Sequence, residues 1–161
     1  MFTQPTYNGN TIDQYALLAK QLDALLEDET DNIANLSNAS ALLNQFLHTI
    51  NWCGFYLYKN EELLLGPFQG LPACVHIAMG RGVCGTAAAN QETLVVANVH
   101  QFPGHIACDA ASQSEIVVPI IIEGNLFGVL DIDSPINNRF STDDREGIEQ
   151  FVHVLTKHLS L

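Results

Sequence analysis

Four cysteines and three acids are the residues of this chain whose types and placement can do chemistry. Cys74, Cys84 and Cys108 fall in or beside two long glycine-containing stretches, whereas Cys53 alternates with Phe55 and Leu57 in an apolar run. A cysteine is a nucleophile only as its thiolate, which needs access and a positive or hydrogen-bonding neighbourhood. Cys84 stands at the start of an expected helix, where amide groups and the helix dipole favour an anion. Cys108 follows His105 and precedes Asp109 in a segment of small residues. A single cysteine is more often plain buried core. Three in loops weaken that reading for Cys74, Cys84 and Cys108, while Cys53 keeps it. Zinc is the other use for such a set, with His76, His100 and His105 as further ligands. Structural zinc sites usually present close pairs such as Cys-x-x-Cys, but nine and twenty-three residues separate these cysteines. Spacing therefore argues against a metal.

The acids form a second constellation. Asp131 and Asp133 lie two apart at the end of an expected strand and point to one face. Glu115 begins the neighbouring strand of a hairpin, and antiparallel pairing brings its start near the other strand's end. Three acids at one end of a sheet repel one another unless one holds a proton or something positive binds. A ligand carrying an ammonium fits that need, although Asp133-Ser134-Pro135 also suits a simple turn cap. Trp52 and Tyr56 share the strand face opposite Cys53 and Phe55, either as core or as the apolar wall of a small-ligand site.

These residues need elements to hold them. Ile12, Tyr15, Leu18, Leu22, Leu25 and Leu26 recur at helical spacing, as do Ile33, Leu36, Leu43, Phe46, Leu47 and Ile50. The period changes to two over Asn51 to Tyr58, and a second strand follows near Glu62 to Leu65. Gly66 to Gly82 reads as loop with a short strand at Val75 to Ile77, and Val83 to Ala89 as a short helix ending at Asn90. Thr93 to Val96 is strand-like, and His100 to Ser114 is a second long loop. Strands at Glu115 to Ile122 and Leu126 to Asp133 make a hairpin across Glu123-Gly124-Asn125. A last helix starts near Ser141 and buries Ile148, Phe151, Val152, Leu155 and Leu159. This order predicts one α+β domain over residues 1–161, an antiparallel sheet with terminal helices on one face. Loops as long as these two are usually functional.

Composition narrows the partners. The 161 residues carry a formal charge of −12 with only six lysines and arginines, so neither nucleic acid nor an anionic membrane is expected. The amino terminus lacks a basic segment followed by an apolar run, and no apolar stretch reaches the ~20 residues of a membrane span. A cytoplasmic protein is expected. Static disulfides are rare in that reducing compartment, which favours redox-active cysteines.

Several ordered blocks together resemble a known family. They are Gly66-Pro67-Phe68-Gln69-Gly70, Pro72-Ala73-Cys74, Gly80-Arg81-Gly82-Val83-Cys84-Gly85, Phe102-Pro103-Gly104-His105-Ile106-Ala107-Cys108-Asp109, Ser114-Glu115-Ile116-Val117-Val118-Pro119 and Gly128-Val129-Leu130-Asp131-Ile132-Asp133-Ser134. Their sequence along nearly the whole chain resembles the free methionine-(R)-sulfoxide reductases. The resemblance implies a single GAF domain, a six-stranded antiparallel sheet with helices on one face and a ligand pocket on the other. It implies a thiol-dependent oxidoreductase that reduces free L-methionine-(R)-sulfoxide to L-methionine without a cofactor. Cys108 then matches the attacking cysteine, Cys74 the resolving one and Cys84 a third. Glu115, Asp131 and Asp133 match the acidic substrate site, with Glu115 and Asp133 as candidate proton donors, and Trp52 and Tyr56 match its aromatic wall. Attack leaves a sulfenic acid that condenses to an intramolecular disulfide, which thioredoxin or an equivalent dithiol reduces. A homodimer is expected at family level. Departures from the pattern are His76, Ala78-Met79 and Asn98. The rival readings are a non-catalytic GAF small-ligand sensor and a redox-sensing module, and repeated turnover with a reductant separates the enzyme from both.

Overall fold

Local sequence sets where each element begins. The computed structural model describes residues 2–106 and 108–161, so Ala107 of the cysteine-bearing block lies outside the described residues. Helices α1 (Thr11–Leu26) and α2 (Asn32–Phe46) are followed by β1 (Trp52–Lys59), β2 (Glu62–Gly70), β3 (His76–Ala78), α3 (Gly82–Asn90), β4 (Leu94–Val96), β5 (Ser114–Ile122), β6 (Asn125–Ser134) and α4 (Thr142–Thr156). Asn10 and Asp31 cap α1 and α2, their side chains accepting from the amides of Asp13 at 2.9 Å and Ala34 at 2.8 Å. The strands form one antiparallel sheet in the order β3-β2-β1-β6-β5-β4. Among the described residues no helix is long and apolar enough to cross a membrane.

Two elements differ from expectation. Helical periodicity continues to Ile50, yet α2 stops at Phe46 because the chain must turn into β1. Thr49 makes that turn at φ 60°, and its carbonyl accepts from Ser134 Oγ at 2.6 Å. Strand β2 runs on to Gly70, through Gly66 and Pro67, where a loop is expected. The pairing shifts register there, between Gly54 and Tyr56, so the glycine and proline occupy a bulge that needs no ladder donor from Pro67. The β5–β6 hairpin closes through Glu123 and Gly124, both at positive φ, as tight two-residue turns require.

The sheet has two buried faces. On one, Phe55, Ile116, Ile120, Leu130 and Ile132 pack with Leu18, Leu22, Leu36, Leu43, Ile148 and Phe151 of α1, α2 and α4. Cys53 is wholly buried in this core and is structural. On the other face Trp52, Tyr56, Val117 and Val129 meet Val83, Cys84, Ala87 and Ala88 of α3.

Asp144 fastens the terminal helices. Its Oδ1 accepts from Tyr15 of α1 at 2.7 Å, and its Oδ2 accepts from Arg139 Nη1, Ser141 N and Ser141 Oγ at 2.9–3.0 Å. Asp144→Ala strands those donors in a buried setting and should destabilise by about 2–4 kcal/mol. Thermal melts should fall by about 5–12 °C at this chain length; a loss under 1 °C would show that solvent replaces the carboxylate.

Candidate active site

Strand alternation places Trp52, Gly54 and Tyr56 on the face away from α1, α2 and α4, and the register brings the acids to them. Asp133 pairs with Trp52 on one side and Glu115 on the other, while Asp131 lies between Gly54 and Val117. Cross-strand neighbours have Cβ atoms about 4.5–5.5 Å apart, so these carboxyls are adjacent. Gly54 is needed for a close approach: a Cβ there would come within 2.7 Å of the Phe68 backbone. Phe68 uses that space to stack on Trp52 at 5.2 Å, and Trp52 stacks on Tyr56 at 5.8 Å.

Glu115 and Asp131 are 5% and 6% exposed, which deprives like charges of screening. Burial pushes the Glu115 carboxyl well above its ordinary range, and Asp131 and Asp133 push it further. Burial does the same to Asp133, with Asp131 and Asp109 adding to it. Burial raises Asp131, against an opposing pull from Glu115 and Cys84 beside it. The trio therefore keeps protons at a pH where exposed carboxyls have lost theirs. Asp131 Oδ1 is buried with no hydrogen-bond partner.

Cys84, in the first turn of α3, lies with Sγ 3.8 Å from Glu115 Oε1. The helix start does not favour its thiolate, contrary to the expectation from sequence. Burial raises the thiol well above its ordinary value, and Asp131, Glu115 and Asp133 raise it further. A helix terminus offers about half a charge, which the acids around this thiol outweigh.

Cys74 and Cys108, 34 positions apart in sequence, are joined by a disulfide with Cα atoms 5.7 Å apart. The aromatic wall holds the Cys74 loop: Trp52 Nε1 donates to Leu71 O at 3.1 Å and Tyr56 OH to Cys74 O at 2.9 Å. The Cys108 loop is held by Asn51 Nδ2, which donates to Asp109 Oδ2 at 2.9 Å and Ser112 Oγ at 3.1 Å. Between wall, loops and α3 lies a cavity of about 40 Å³, lined by Trp52, Tyr56, Glu115, Asp131 and Asp133 together with Cys84 and Cys108. Cys74 does not line it and is tied to its rim through the disulfide.

Sequence reasoning missed Arg81 and Ser112 as lining residues, gave Asp109 no site role and considered His105 only as a zinc ligand. Arg81, directly before the Gly82-Val83-Cys84 block, is the only lysine or arginine on the cavity among the described residues. A lone cation in so acidic a chain was the available signal. Burial lowers the His105 pKa, and His100, its ring 6.2 Å away, lowers it further.

The zinc set considered from sequence does not converge. Cys74 and Cys108 bond each other, and His76 Nδ1 pairs with Glu62 Oε1 at 2.7 Å. A different set does: Cys84, Glu115 and Asp131 each offer a ligand atom, all within 4.8 Å of one another. Spacing rules for close pairs do not reach ligands gathered from a helix and two strands.

Known proteins resemble this chain along most of its length. A sequence model of the GAF domain matches residues 21–159. The free methionine-R-sulfoxide reductase of Escherichia coli is 50% identical over 151 residues, covering 94% of this chain and 92% of its own. The fRMsr of Staphylococcus aureus, solved in complex with substrate, is 56% identical with a TM-score of 0.88, covering 97% of this chain and 100% of its own. The free methionine-R-sulfoxide reductase of Neisseria meningitidis, also solved with its substrate, is 39% identical with a TM-score of 0.93, covering 98% and 95%. The chain belongs to the GAF domain family and, within it, to the free methionine-R-sulfoxide reductases.

Proposed function

We propose that this protein reduces free L-methionine-(R)-sulfoxide to L-methionine with its own cysteines. The observation that carries this reading is a disulfide, Cys74–Cys108, closing the rim of a pocket floored by two buried acids, Glu115 and Asp131, with the half-buried Asp133 beside them. The Cys108 thiolate attacks the sulfoxide sulfur, and a protonated Glu115 or Asp133 hydrogen-bonds and then protonates the departing oxygen. The substrate's S–O bond and its new bond to Cys108 then break as the protonated oxygen transfers to Cys108, leaving a sulfenic acid and releasing methionine. The Cys74 thiol then condenses with the sulfenic acid, forming the disulfide and releasing water. Cys84 is a third thiol on the same pocket. Thioredoxin or an equivalent dithiol takes up the oxidising equivalents by exchange, which places the protein in a reducing compartment such as the cytoplasm.

Substrate recognition follows from charge. The ammonium of a free amino acid meets Asp131, whose Oδ1 otherwise lacks a partner. The carboxylate meets Arg81 at the start of α3. Trp52 and Tyr56 enclose the S-methyl end. A peptide-bound residue offers neither charged group.

Masking the ammonium leaves buried acid unpaired, which is worth about 2–5 kcal/mol. Free L-methionine-(R)-sulfoxide should therefore exceed its N-acetyl form in kcat/KM by about 30-fold or more. Equal rates for the two would sink the reading. The cysteine roles separate in a single turnover. Cys108→Ser should release no methionine, because a neutral hydroxyl is a far poorer nucleophile. Cys74→Ser should release one equivalent and hold a sulfenic acid detectable by mass spectrometry, with cycling partly restored by a small thiol. A full burst from Cys108→Ser and none from Cys74→Ser would reverse the roles.

The acids should also trade stability for activity. Their folded pKa values lie above the unfolded ones of about 4, so folding takes up protons. This contribution is complete below the unfolded values and is lost as pH rises through the folded ones. Glu115→Gln removes one repelling charge and should raise the melting temperature at pH 8 by about 2–6 °C relative to pH 5 behaviour, while activity drops. A melting temperature lowered at both pH values would show that the carboxyl is structural.

A further inference from the structure

We propose that the floor of the pocket is a three-ligand site for a thiophilic divalent cation, zinc above all, formed by Cys84, Glu115 and Asp131, and that its occupancy excludes substrate. The binding stands on the geometry alone; the exclusion rests on the reductase reading, because the two carboxylates are shared.

The ligands come from three rigid elements, α3, β5 and β6. Their donor atoms lie within 4.8 Å of one another, with Cys84 Sγ 3.8 Å from Glu115 Oε1. Around zinc, bonds of about 2.3 Å to sulfur and 2.0–2.2 Å to oxygen put tetrahedral ligands about 3.3–3.8 Å apart. Side-chain adjustment of about 1 Å closes the set without moving the backbone. A second observation points to a cation independently of the cluster. Asp131 is 6% exposed, its carboxylate lines the cavity, and its Oδ1 meets no donor.

The surroundings supply no competing positive charge at the floor. Asp133 and Asp109 also face the cavity, and among the described residues its only basic side chains are Arg81 and His105, both on the loops and helix start that rim it. One thiolate with two carboxylates suits zinc or cobalt. Calcium takes six to eight oxygens and magnesium near-ideal octahedra, so neither is served by three donors including sulfur. Coordination replaces the Cys84 thiol proton, and any proton on the carboxyls, with the metal; these protons go to solvent, and no redox change occurs. The fourth position is left to water. Cys84 is the one pocket thiol outside the Cys74–Cys108 pair, and the disulfide form leaves it free to bind.

The test uses the oxidised protein, in which Cys53 is buried in the opposite core and Cys84 is the only thiol on the cavity. Titration with Co2+ should give a sulfur-to-cobalt charge-transfer band saturating at about one ion per chain and bleached by Zn2+. The band should vanish in Cys84→Ser, and the apparent affinity should fall about tenfold or more in Asp131→Asn. Apparent affinity should also rise with pH as displaced protons become easier to lose. X-ray absorption of the zinc-loaded unsubstituted protein should show one sulfur among oxygen ligands, a readout that needs no variant to fold. No charge-transfer band, a band surviving Cys84→Ser, or a sulfur-free zinc shell would overturn the site. Free L-methionine at about ten times its own Kd should weaken cobalt binding about tenfold, and more at higher concentration; insensitivity to it would overturn the exclusion. Sulfoxide turnover measured with a chelator present is a separate assay, whose failure would remove the reductase reading and leave the cobalt band untouched.

Discussion

The crowding of three carboxyls on adjacent strands, two of them buried and the third half-buried, is the constraint to which the rest of the pocket answers. Glu115, Asp133 and Asp131 reach one face through the β1–β6–β5 register, and a one-residue slip would send all three into the helix-side core. That slip is blocked by the apolar residues between them, since Ile116, Leu130 and Ile132 would then face the pocket. The hydrophobic core thus fixes the register, and the register fixes the electrostatics. Taken out of solvent, the carboxyls and the thiol beside them each resist ionisation, and the ionisation of any one makes that of its neighbours harder. In the proposed chemistry, proton donation and ammonium binding both follow from that single unfavourable placement.

Such a placement has to be held by parts not involved in it. The helical side does so with an unbroken apolar layer and the Asp144 network that joins α1 to α4. The pocket side has less regular structure: a short helix, two short edge strands and two long loops. Stability is not uniform across a fold, and binding segments are drawn from its less stable parts. Cys74 and Cys108 sit on those segments, whereas the acids sit on central strands. The parts that must approach one another are on loops, and the parts that must not relax are on the sheet.

Much of this was legible in the sequence because the relevant signals are local or periodic. Alternation in β1 separates Trp52 and Tyr56 from Cys53 and Phe55, and the Glu123-Gly124 turn sets the hairpin that aligns Glu115 with Asp133. Ser141 and Asp144 mark the start of α4, where a capping box forms. What was not legible depends on tertiary neighbours. Gly66 and Pro67 look like breaks, yet β2 continues because its partner strand tolerates a bulge there. Cys84 looks like an activated thiol at a helix start until the acids of β5 and β6 are placed against it. Arg81 and Ser112 reach the cavity through loop paths that no periodicity reports. The Cys84–Glu115–Asp131 grouping joins residues whose spacing resembles no metal motif.

The hydrogen bond from the Trp52 indole to Leu71 O gives the chain an internal optical gauge. Trp52 is the sole tryptophan, it stacks on Tyr56 and Phe68, and its nitrogen holds the backbone three residues before Cys74. Indole emission depends on the polarity and hydrogen bonding around the ring. A shift of the Leu71–Cys74 segment on opening the disulfide therefore changes the surroundings of one fluorophore, with no other tryptophan to dilute it. Any movement of that segment between the two redox states is reported by this single residue, and the protein needs no attached label to be followed in real time.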